Sequence, residues 1–83
     1  MSVFRRGQRL GTTQRYKILI VVDDGETLFW HKKNELHVVD EDVARIFVQS
    51  FKPELFQVTA DGSLQPPEDG VTRPIVRVEM VAV

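Results

Sequence analysis

The sequence predicts a small α+β domain: a mostly antiparallel sheet of four or five strands with one helix packed on one face, in the order ββ(β)αββ. Three observations carry that prediction. Residues 16–22 are an apolar, β-branched run, and Asp23-Asp24-Gly25 behind them supplies turn chemistry. Only the segment between Asp40 and Pro53 has helical spacing. Ile75 to Val83 closes the chain with the alternation of a strand.

Each element follows from its residues. Residues 1–15 are polar apart from Val3, Phe4 and Leu10 and read as a flexible basic arm ahead of a single domain over 16–83. Tyr16 to Val22 is the first strand and Thr27 to Lys32 its return, the strongest hairpin signal in the chain. Lys33-Asn34-Glu35 marks a second tight turn into a short strand, Leu36 to Val39. Asp40 then stands as a helix N-cap, with Glu41 and Asp42 in the first turn, where the helix dipole favours negative charge. The helix is expected over 41–51, with Val43, Ile46, Phe47 and Phe51 as its apolar stripe, and Pro53 stops it. Leu55 to Thr59 reads as a strand, Ala60 to Ser63 as its turn, and the proline-rich stretch Leu64 to Pro74 as a loop. In the last strand Val76, Val78, Met80 and Ala82 are expected on one face, opposite Ile75, Arg77, Glu79, Val81 and Val83.

Composition bounds the function classes. With 83 residues the chain has room for one domain and a modest core. It has no cysteine, so neither a disulfide framework nor a thiolate metal site is available, which suits a reducing compartment. The longest apolar run, Ile18 to Val22, falls far short of the roughly 20 residues that span a bilayer. No membrane association and a cytoplasmic location are the expectation.

Charge is strongly polarised along the chain. The first 22 residues carry only Arg5, Arg6, Arg9, Arg15 and Lys17, a balance of +5. The remaining 61 hold all 12 carboxylates against six Lys or Arg, a balance of −6, so the net −1 conceals a basic head on an acidic body.

The first hairpin poses a geometric problem. A sheet covered on one side should alternate apolar and polar residues. Ile18, Ile20 and Val22 point one way, but Leu19 and Val21, equally apolar, point the other; Leu28 and Trp30 are likewise opposed by Phe29. One three-turn helix covers one face. Each aliphatic side chain left wet forgoes about 1.5–3 kcal/mol, so a second face this apolar calls for a cover. The arm, a second copy of the chain and another protein are the alternatives; self-association, face to face or edge to edge through the terminal strand, leads.

Motifs for chemistry are sparse. Lys17 to Asp24 resembles the opening of a response-regulator receiver domain, where a first parallel strand delivers an acidic pair to a magnesium site. A receiver also requires a phosphorylatable aspartate on a later parallel strand, a lysine further on and several crossover helices. This chain offers one helix, and Gly25-Glu26-Thr27 leads straight into another strand, so the acid pair is read as a hairpin turn. His31 and His37 could share a metal only if the turn between them set them opposite each other, with Glu35 or Asp40 as a third ligand. Ser2, Ser50 and Ser63 stand in no nucleophile elbow, and Gly7 and Gly11 follow no strand as a phosphate loop requires. No catalytic residue, cofactor or metal is expected.

What remains is binding. The expected function is a small non-enzymatic interaction module, adaptor-like or regulatory, acting on another protein through a homodimer. The surfaces singled out are Arg5, Arg6, Arg9 and Arg15 of the arm, Leu19, Val21, Phe29 and Trp30 of the hairpin, and Val76 and Val78 of the last strand. Trp30 has two readings, main packing residue of the core or interface anchor. The alternative function is a nucleic-acid-binding regulator whose arginine arm grips phosphates; the acidic body and a sequence pI of 6.1 oppose it.

Overall fold

A computed structural model describes residues 14–83. The strands are β1 (Arg15–Val22), β2 (Thr27–Phe29), β3 (His31–Lys32), β4 (Glu35–Leu36) and β5 (Val38–Asp40). The helix α1 (Glu41–Ser50) and a 3-10 turn (Pro53–Leu55) follow, then β6 (Gln57–Thr59), β7 (Leu64–Gln65) and β8 (Thr72–Ala82). The main sheet runs β2-β1-β8-β6-β7, with β5 also paired to β1; β3 and β4 form a separate ribbon. Every one of these pairings is antiparallel. The fold is α+β with one helix, as the residue pattern predicts, and the sheet gains a strand because the loop expected over Leu64 to Pro74 supplies β7 and the start of β8.

Two long strands form the spine. β1 lies against β8 from Tyr16↔Ala82 to Val22↔Ile75, and its other edge is shared by β2 and β5. Ile18, Ile20 and Val22 point to the helix side and are fully buried, joined by Ala44, Val58, Ile75 and Val78. At about 1.5–3 kcal/mol per large side chain buried, this cluster is the main stabilising term of the domain. Trp30, Phe47, Val48, Phe51, Leu64 and Met80 pack around it.

Several expectations are corrected. The helix turns a different face to the sheet: Ala44 is fully buried while Val43 and Ile46 are 54% and 65% exposed. Alanine at the contact lets the helix axis approach the sheet, and Phe47, Val48 and Phe51 then flank it. Asp40 occupies the N-cap position without a side-chain cap bond; its carboxylate meets Arg15 instead, at 3.2 Å. The alternation expected along β8 breaks at a bulge, where Val21↔Arg77 is followed by Val22↔Ile75 and Val76 is left without a partner. Ile75 thereby joins Val78 in the core, and Val76 turns outward, 52% exposed.

The sheet is also rolled. The tip of the β6–β7 hairpin returns to the opposite edge, where the His31 amide donates to the Gly62 carbonyl at 2.9 Å. Gly62 has φ +91°, and a Cβ there would lie 2.4 Å from the Phe29 carbonyl oxygen, so this closing contact requires glycine.

Candidate interaction surface

The side chains that point away from the helix form three rows across the sheet. Phe29, Leu19 and Glu79 stand opposite one another; so do Thr27, Val21 and Arg77; and so do Val38, Lys17 and Val81. None belongs to the core cluster. Val21 is buried among its neighbours, and Leu19, Phe29, Val38 and Val81 are half-buried. Lys17 sets its ammonium 4.2 Å from the centre of the Phe29 ring, a cation–π contact that shields one ring face. Arg77 and Glu79 pair along the strand at 2.7 Å. The result is an apolar strip crossed by Lys17 at one end, with Arg77 and Glu79 along its β8 side. Among the described residues the one helix lies on the other side of the sheet.

A second feature sits at the outer edge of β8. β6 pairs with β8 only at Thr72, Arg73 and Pro74. From Ile75 to Ala82 no described strand adjoins that edge. The phase of the ladder settles which main-chain groups face it. Val83 N–H bonds the Arg15 carbonyl and Trp30 N–H bonds the Ile18 carbonyl, both at 2.9 Å. In an antiparallel ladder these bonds alternate, so Arg77, Glu79 and Val81 turn their N–H and C=O groups toward β1, and Val78, Met80 and Ala82 turn theirs outward.

The residues singled out in the sequence are distributed as follows. Leu19, Val21 and Phe29 lie together on the face away from the helix, beside Val81 of the terminal strand and Lys17, and Lys17 is the one the sequence reading did not place there. Val78 is 7% exposed and its side chain belongs to the core, so only its main chain reaches the edge. Val76 is the unpaired residue of the bulge itself, and its side chain turns outward, 52% exposed. Trp30 packs on the core side: it stacks on Phe47 at 4.6 Å and takes the edge of His37 at 4.5 Å, with Lys32 5.0 Å above its ring. Arg15 is the first residue of β1, held by Asp40 and by the Val38 carbonyl at 3.2 Å. Arg5, Arg6 and Arg9 lie outside the described residues.

The histidines do not meet. The ribbon pairs His31 with Leu36, and the His37 amide bonds the Trp30 carbonyl at 3.0 Å, one register step away and on the other face. His31 Nδ1 donates to the Phe29 carbonyl at 2.7 Å, which fixes its tautomer. Burial, with Lys32 adding to it, holds His37 below its ordinary value and favours the neutral ring. Among the described residues no group of three or more His, Asp or Glu is placed to hold a metal ion.

The acid pair of the first hairpin is a turn. Asp24 accepts the Glu26 amide at 2.9 Å, and Arg73 meets Asp24 at 2.6 Å and Glu26 at 2.5 Å. The backbone N–H of Glu26, then Arg73, hold the Asp24 carboxyl below the usual range. Asp61 is held low in the same way, by the Thr59 hydroxyl and then the Ser63 amide. No helix of the described residues is long and apolar enough to cross a membrane.

Comparison with known proteins decides nothing further. No protein family, curated protein or solved structure matches the chain. The reading of function rests on the surfaces themselves.

Proposed function

We propose that this chain is a small non-enzymatic interaction module, adaptor-like or regulatory, that binds another protein and works as a homodimer in the cytoplasm. The observation that carries the reading is the sheet face away from the helix, where Leu19, Phe29, Val38 and Val81 are half-buried around the buried Val21, with Lys17 at one end and Arg77 and Glu79 along the β8 side. An apolar centre with polar groups beside it is the usual anatomy of a protein-binding patch. In this reading the sheet makes the lasting contact, and Arg5, Arg6 and Arg9 add electrostatic steering toward an acidic target.

The nucleic-acid alternative loses support with Arg15, which is tied to Asp40 and Val38 rather than offered to a phosphate. The test is retention on heparin and binding to generic DNA at low salt, for the native chain and for the Arg5→Ala/Arg6→Ala/Arg9→Ala variant. The protein-binding reading expects weak retention. Tight binding that falls steeply with salt and disappears in the triple variant overturns it in favour of nucleic acid.

A further inference from the structure

We infer that two copies of this chain join edge to edge through the C-terminal half of β8, antiparallel, with Met80 opposite Met80 of the partner subunit. The inference rests on the homodimer reading above and specifies how the copies meet.

The argument starts from what guards the edge. Natural sheets protect a free edge with proline, bulges, lysine or a covering loop. β8 has two of these devices, Pro74 and the bulge at Val76, and both stand in its first half, beside β6. The 3-10 turn Pro53–Leu55, which leads into β6, also touches β8, and the β6 register continued backwards carries it toward Val76–Val78, so the fully open part of the edge is Glu79 to Ala82. The second half, Arg77-Val78-Glu79-Met80-Val81-Ala82, contains neither proline nor bulge, and its two charges, Arg77 and Glu79, neutralise each other in an ion pair at 2.7 Å. It is rich in valine and presents the outward N–H and C=O groups of Val78, Met80 and Ala82 in the spacing that another strand requires.

The choice of a second copy follows from the register. Paired residues of an antiparallel ladder share a face, so a two-fold axis perpendicular to the sheet must pass midway between a residue and the same residue of the partner subunit. Centred on Val78, the partner's Ala82 falls against Pro74, a place Gln57 already occupies. Centred on Glu79, the two carboxylates stand directly opposite, which is destabilising. Centred on Met80, Val78 faces Ala82 of the partner subunit and Glu79 faces Val81 of the partner subunit. That arrangement gives about six main-chain hydrogen bonds. The bulge, Pro74 and β6 of each copy then lie beyond the opposite end of the seam, clear of the other body. The faces turned away from the helix then lie on the same side of the joined sheet, with Glu79 of each copy beside Val81 of the partner subunit between the two apolar strips.

Two variants of the full chain separate the edge from the face. Ala82→Pro removes an outward donor, leaves the bonds to β1 untouched, and changes an exposed residue. Leu19→Lys disrupts the open face while placing the new ammonium opposite Glu79. Solution mass is measured for both and for the native chain. The expected result is a dimer for the native chain and for Leu19→Lys, and half that mass for Ala82→Pro with its circular dichroism retained. Dissociation by Leu19→Lys with Ala82→Pro still dimeric overturns edge pairing while keeping the homodimer, by face-to-face stacking. A native monomer at every concentration overturns both. Should Ala82→Pro fail to fold, amide hydrogen exchange of the native chain decides: protection of Met80 and Ala82 that is lost on dilution supports the seam, and fast exchange in the dimer overturns it.

Discussion

The two faces of β1 are built from nearly the same amino acids and are covered differently. Ile18, Ile20 and Val22 look into α1 and are fully buried; Leu19 and Val21, between them, look the other way, Leu19 half-buried and Val21 8% exposed among its neighbours on the sheet. Apolar content does not distinguish the two sides. What distinguishes them is where α1 lies, with β5 (Val38–Asp40) leading directly into it and Ala44 its one fully buried residue. Among the described residues one helix serves a strand that is apolar on both faces, and what covers the second face is where function is to be sought.

The largest expected effects fall on the covered face. Ile20→Ala should cost about 2–5 kcal/mol in chemical denaturation, through lost transfer energy and the cavity left behind. Leu19→Ala, one residue away, should cost about 1 kcal/mol or less in a dilute sample, since its side chain is only half-buried. Equal losses at the two positions would break the comparison.

Gly62→Ala tests the point where the rolled sheet closes. The new Cβ meets the Phe29 carbonyl oxygen in a left-handed backbone, so destabilisation of roughly 2–5 kcal/mol is expected from the strain and overpacking together. The amide of His31 should lose its exchange protection before the amides of β1 do. A neutral substitution would mean that the hairpin tip does not dock.

Two smaller effects sharpen the picture at the margins. His37 is held in its neutral form by burial and by Lys32, so the unfolded chain takes up the proton first as pH falls. Stability should be full above about pH 6.5 and should decline as pH drops from there, and His37→Gln should flatten that part of the profile. Removing the exposed Arg15–Asp40 pair by Arg15→Ala should change stability by only about 0–1 kcal/mol, read from the same denaturation curves.

Much of this was legible in the sequence, and the failures share a cause. The β-branched run, the Asp-Asp-Gly turn and Pro53 placed the hairpin and the end of the helix because each acts locally. The stripe assigned to Val43 and Ile46 failed because hydrophobicity scores a residue's own transfer energy, whereas close helix–sheet contact selects for small volume at Ala44. The alternation assigned to β8 failed because a bulge inserts one residue without changing composition; the spacing of Ile75 and Val78 beside Pro74 was the available sign. His31 and His37 were a register problem. Lys33 and Asn34 both adopt positive φ, a two-residue turn, and that pairs His31 with Leu36. The second face was visible as Leu19, Val21 and Phe29 and the terminal strand as a pairing edge, whereas which part of that edge stays unpaired needed the register of β6.

The most direct measurement is the solution mass of the intact chain by light scattering over a range of concentrations, at low and high salt. A species near twice 9.5 kDa that persists in high salt is the predicted result, because main-chain pairing and apolar contact are little screened. A mass of 9.5 kDa throughout contradicts the account and returns the open face to the arm or to a different protein.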